Sequence, residues 1–100
     1  MDTKAVQEFV DRHCDESAIP SLVDFIAIPN QSPLFDPEWN TNGLLDQACE
    51  HVSNWAKAQN LKGFTLERHQ NEGKPPLIFI EIEGTRPDAE TVFMYGHFDK

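Results

Sequence analysis

The chain has 100 residues, 39% hydrophobic and 25% charged, a composition that fits one small globular domain with a thin core. Eight Lys and Arg stand against seventeen Asp and Glu, and the formal net charge of −9 excludes polyanionic partners: no nucleic acid and no anionic membrane surface is expected. No run of about 18 apolar residues exists, which excludes a spanning helix.

The N-terminal MDTKAVQEFVDRH is charged and amphipathic and does not read as a secretory signal. Cys14 and Cys49 fall in two helical stretches without CxxC spacing. They read as reduced thiols that fill space, and the chain reads as cytoplasmic.

Residues 3 to 15 set Ala5, Val6, Phe9, Val10 and Cys14 on one helical face, with Asp2 placed to cap. Residues 17 to 28 repeat the pattern through Ile19, Leu22, Val23, Phe25 and Ile26. Ser17 is the expected cap there, Pro20 falls in the first turn and Pro29 is the stop. Residues 30 to 43, NQSPLFDPEWNTNG, have no period and form a long connecting loop whose Phe35 and Trp39 are expected to pack on something. A third helix is expected over residues 44 to 59, burying Leu44, Leu45, Ala48, Val52, Trp55 and Ala56 and exposing Asp46, Glu50, Asn54 and Lys57.

The period then falls from 3.6 to 2. Phe64 and Leu66 alternate with Thr65 and Glu67, and after NEGKPP the isoleucines 78, 80 and 82 alternate with Phe79, Glu81 and Glu83, which predicts an antiparallel hairpin. Past GTRPDAE, the run TVFMY at residues 91 to 95 is apolar at four consecutive positions, as in a strand covered on both faces. The expected fold is α/β: N-terminal helices, a hairpin and a buried strand. That strand needs covering elements on both sides, so the 100 residues read as the N-terminal, incomplete portion of a larger domain.

The stretch VFMYGHFD, residues 92 to 99, carries the chemistry. A strand delivers Gly96, where the backbone is free to turn, and His97 then projects from the strand's carboxyl end, where open α/β sheets keep their ligands. Asp99, two residues on, is placed to accept a hydrogen bond from one ring nitrogen, fixing the tautomer and leaving the other nitrogen for a metal. A histidine after a strand is also a common surface finish, and the spacing alone leaves both readings open. Of the other histidines, His13 reads as a charge at a helix end, His51 as solvated and His69 as surface. Asp36 and Glu38 flank Pro37 without an evident partner, and Glu81, Glu83, Asp88 and Glu90 read as solubilising charges.

Residues 92 to 99 resemble the signature of the M20 metallopeptidases, in which a buried strand ends in Gly-His-x-Asp. SLVDFIAIPNQSP at 21 to 33 and WAKAQNLKGFTLE at 55 to 67 are similar to segments of that family in the same order, and YGHFDK looks closest to its dipeptidase and carnosinase-like branch. Lys100 departs from the pattern, which more usually has a hydrophobic residue there. The resemblance implies an α/β/α zinc-exopeptidase catalytic domain with two Zn2+ per active site. It makes His97 a metal ligand and Asp99 the catalytic-site carboxylate that holds the His97 ring. The implied activity is hydrolysis of dipeptides or short peptides by the intact enzyme, the chain alone being inactive, with a homodimer among the assemblies left open. The remaining ligands and the general base have no counterpart within the 100 residues. An N-acyl amino acid deacylase on the same scaffold and a non-enzymatic acidic binding or assembly domain are the alternatives.

Overall fold

The computed structural model describes all 100 residues. Helix α1, Thr3–His13, opens where the Asp2 carboxylate accepts the Ala5 N–H at 3.1 Å, the cap read from the sequence. It does not end at a second cap. The backbone widens into a π-helical turn, Cys14–Ala18, and continues directly as α2, Ile19–Ala27. Pro20 supplies the reason. It lacks the N–H that the Glu16 carbonyl would receive in an α-helix, and its ring crowds that carbonyl. The wider turn relieves the crowding, and the Ile19 N–H reaches five residues back to the Cys14 carbonyl. Ser17 therefore caps nothing; its Oγ accepts the indole N–H of Trp55 at 3.1 Å. Helix α2 stops as expected, with Ile28 extended (φ −77°, ψ 118°) ahead of Pro29.

Residues 30–43 run as successive turns. Asp36 holds them: its carboxylate accepts the Glu38 N–H at 3.0 Å and the Asn42 side-chain amide at 2.7 Å. Trp39 is half-buried, but Phe35 is exposed, contrary to the expectation that both pack. Helix α3, Leu44–Ala58, follows Gly43, whose φ of 75° sets the entry.

The core sits on α3. Leu45, Ala48, Cys49 and Ser53 are buried on it, joined from outside by Ile28, Asn30 and Pro76. His51 is half-buried, not solvated: its Nε2 lies 2.9 Å from the Ser21 carbonyl and 3.0 Å from the Ser21 hydroxyl, and its ring stacks on Phe25. Because a carbonyl only accepts, Nε2 carries the proton in this tie between α2 and α3.

Strands β1, Phe64–His69, and β2, Leu77–Ile82, form an antiparallel hairpin, with Phe64 opposite Ile82, Leu66 opposite Ile80 and Arg68 opposite Ile78. These six share one face. Arg68 pairs with Asp46 of α3, so this face is the one turned to the helix.

Here the chain departs from expectation. Residues 91–95 form no strand: Val92, Phe93, Met94 and Tyr95 are 77–86% exposed, and no backbone group of residues 91–97 bonds to another part of the backbone. A strand exists only through a neighbour that takes its N–H and C=O groups. The hairpin pairs its inner edges on itself, and residues 91–95 add to neither outer edge. The sheet accordingly has two strands, and the architecture is a small mixed helix-and-hairpin unit.

The outline is open. The accessible surface of 8271 Å² compares with about 5,800 Å² for a folded monomer of this mass. The radius of gyration of 16.1 Å compares with about 13 Å for a compact domain of this length. No helix is long and apolar enough to cross a membrane.

Candidate functional site

Residues 97–100 return to the helices and end against the C-terminus of α2. The anchor is Asn30, fully buried. Its Nδ2 donates to the Phe98 carbonyl at 2.6 Å, and its Oδ1 accepts from the Lys100 ammonium at 2.6 Å. Lys100 also donates to the Phe25 carbonyl at 2.7 Å and to the Ile28 carbonyl. The ammonium lies 4.3 Å from the centroid of the Phe25 ring. The Ser32 N–H closes the contact on the Lys100 carbonyl at 3.0 Å. The Phe25 carbonyl also accepts the Ile28 N–H at 3.1 Å, so the ammonium takes its second lone pair, and it sits at the negative end of the helix dipole. Desolvation in this seat pulls the Lys100 pKa below the ordinary lysine value.

From this anchored end His97 projects outward, its side chain 66% exposed. Its Nδ1 lies 3.3 Å from Oδ1 of Asp99, which is half-buried. Nδ1 is thus the ring nitrogen that faces the carboxylate, within ion-pair distance. The Tyr95 hydroxyl stands 3.4 Å from Nε2, with the two rings edge to face at 5.2 Å between centroids. Tyr95, His97 and Asp99, at two-residue spacing, thus bring their side chains together.

An imidazole nitrogen with a free lone pair and a carboxylate on its other nitrogen suits zinc or a similar borderline metal. The set is one donor long, however. No group of three or more His, Cys, Asp or Glu comes together anywhere in the chain, and a catalytic zinc takes about three protein ligands. The residues fit a metal as one member of a larger set and not as a complete site.

The remaining histidines lie apart from this segment. His13 stacks on Phe9 at 5.4 Å and faces Trp55 at 6.1 Å; because the helix continues past it, its role is aromatic packing and not a terminal charge. His69 is exposed at the end of β1, as read from the sequence, and pairs with Glu67 at 2.7 Å. Glu81, Glu83, Asp88 and Glu90 are all exposed.

Sequence reasoning placed His97 and Asp99 side by side, as the structure does, and it missed Asn30 and Lys100. A signal was present in Asn30, a polar residue directly after the helix stop IP, but burial is invisible in a sequence. Lys100 stood out only as an unusual residue. No protein-family model matches the chain, and no curated protein matches it.

Proposed function

We propose that this chain is the N-terminal part of an M20-type metallopeptidase catalytic domain, in which His97 is a zinc ligand through Nε2 and Asp99 holds the His97 ring. The observation that carries the reading is the 3.3 Å approach of His97 Nδ1 to Asp99 Oδ1, which sets the carboxylate beside one ring nitrogen and leaves Nε2, next to the Tyr95 hydroxyl, as the nitrogen for a metal. A metal on Nε2 would have to displace the Tyr95 hydroxyl, which stands 3.4 Å away. The exposure of residues 92–95 and of the α1 and α2 apolar residues Phe9, Leu22, Val23 and Ile26 supports a larger domain whose further elements cover them. Free Cys14 and Cys49 accord with a cytoplasmic setting.

In such a centre, zinc lowers the pKa of a bound water toward neutrality and polarises the scissile carbonyl of a short peptide. The work of this chain's own residues is to present one imidazole in the correct tautomer. The test uses the full-length protein. His97→Ala is expected to lower bound zinc, measured by metal analysis, and to abolish dipeptide hydrolysis. Asp99→Asn is expected to lower metal affinity or activity by about 10- to 100-fold. If His97→Ala retains both metal and activity, the reading fails.

A further inference from the structure

The three oxygens that surround the Lys100 ammonium come from two places: the end of α2, and Asn30, which also grips the Phe98 carbonyl. Each polar end of the Asn30 amide is thereby used on the segment that carries His97, across some seventy residues of sequence. Leaving either end of a buried amide unsatisfied is costly, so these two bonds favour the placement of residues 98–100 that they define. Just before them, residues 91–97 have no backbone bonds at all. Without the anchor, His97 and Asp99 would belong to a free arm.

We propose that Asn30 and Lys100 are positioning residues for His97: they clamp residues 98–100 to the C-terminus of α2 and so fix where the imidazole projects and which nitrogen faces Asp99. Asn30 acts through the Phe98 carbonyl, one residue from His97. Lys100 acts as the pin, its ammonium seated on the Phe25 and Ile28 carbonyls and on Asn30 Oδ1. The Ser32 N–H bond to the Lys100 carbonyl fixes the direction of the chain as it arrives. The resulting arrangement ties the orientation of the His97 ring to the end of a helix instead of to a sheet. Calling His97 a metal ligand rests on the proposed function; the clamp itself does not.

The experiment is nitrogen relaxation on the isotope-labelled 100-residue chain, without metal, together with the ring-nitrogen shifts of His97. In the unaltered chain, backbone order parameters for residues 97–100 are expected near about 0.85, against values below about 0.6 for residues 91–95. The His97 ring is expected in the tautomer protonated on Nδ1. Lys100→Met and Asn30→Ala are each expected to drop residues 97–100 below about 0.6. Each is also expected to shift the ring toward the mixed tautomers of a free histidine, while the α3 amide signals stay in place. A residue with a merely structural role would leave the ring tautomer alone. Should Asn30→Ala unfold the helices, Lys100→Met, which removes only the ammonium, decides.

The proposal is overturned if residues 97–100 are as mobile as residues 91–95 in the unaltered chain. It is also overturned if the variants leave order and tautomer unchanged. These readouts involve no metal and no peptide, so loss of the clamp and loss of the peptidase reading are separate results.

Discussion

Two sets of apolar residues meet opposite fates in this molecule. On α3, Leu45, Ala48 and Cys49 are 0–3% exposed, whereas Val92, Phe93, Met94 and Tyr95 are 77–86% exposed. The difference lies in what each segment needs from outside itself. A helix satisfies most of its own backbone, so α3 needs from α2 and the hairpin only the cover of one face. A strand satisfies nothing alone, and residues 91–97 have no partner on either edge. Hydrophobicity therefore marks a segment for burial in both cases, and only the helix brings about its own conditions for it. Between the two extremes stands the hairpin, paired along six residue pairs yet with Phe79, Ile80 and Ile82 41–54% exposed.

The sharpest way to break this contrast is to remove apolar atoms from each side. Leu45→Ala is expected to cost about 2–5 kcal/mol, by lost transfer energy and an unfilled cavity. In a core of seven buried residues that is enough to lose the folded state, seen as collapse of the cooperative urea transition followed by circular dichroism. Phe93→Ser and Met94→Ser are expected to move the midpoint by no more than about 0.5 kcal/mol, because those side chains leave water for nothing. They are expected to raise solubility instead. A large loss of stability in Phe93→Ser would mean that residues 91–95 are packed and the contrast is false.

How much was legible beforehand follows the same division. The stripe of α3 and its exposed Asp46, Glu50, Asn54 and Lys57 were readable because helical periodicity depends only on neighbours within a turn or two. The hairpin was readable for a similar reason, as its strands lie close in sequence. The continuity of α1 into α2 was not. Ser17 followed by Pro20 reads as a helix start, and the π turn that lets the chain pass through a proline has no periodic signature. His51 looked solvated because its stripe position borders the exposed face, and only the arrival of Ser21 from thirty residues away makes it a tie. At the candidate site, the His97–Asp99 contact was legible because it spans two residues. The Asn30–Lys100 clamp was not, because it spans seventy.

Gly63 sharpens the position of the hairpin between the two extremes. Its φ of 73° lies in the left-handed region, and a Cβ there would stand 2.9 Å from the Cβ of Glu83, with the Glu83 N–H already bonded to the Gly63 carbonyl at 3.0 Å. Gly63→Ala is therefore expected to cost about 1–3 kcal/mol through strain and the displaced strand end. Gly43→Ala shares the positive φ but meets nothing within 4 Å, so its cost is expected to be the smaller, near about 1 kcal/mol. Chemical denaturation of the two variants checks the order. Equal losses would mean that the end of the hairpin is not closed against β1 as described, and that backbone conformation alone sets both costs.

The smallest effect concerns the thiols, which report coverage site by site. Cys49 is 1% exposed, and burial pushes its pKa above the ordinary value of 9.0, with Arg68 and the Ser53 hydrogen bond acting in the opposite direction. Cys14 is half-buried at the start of the π-helical turn. Maleimide labelling under native conditions is expected to be fastest for a thiol placed in the uncovered stretch by M94C, slower for Cys14, and slowest for Cys49, at least about tenfold behind Cys14. The sign of the pH effect follows from the same burial. A thiol whose folded pKa is raised stabilises the fold below its unfolded value and loses that contribution as pH rises through the folded value. The urea midpoint of the unaltered chain is thus expected to fall as pH is taken above 9.0, more steeply than that of Cys49→Ala, which has no thiol there to ionise. If the two midpoints fall in parallel, Cys49 ionises without cost in the folded chain. The face of α3 that separates the covered region from the uncovered one would then be open to water.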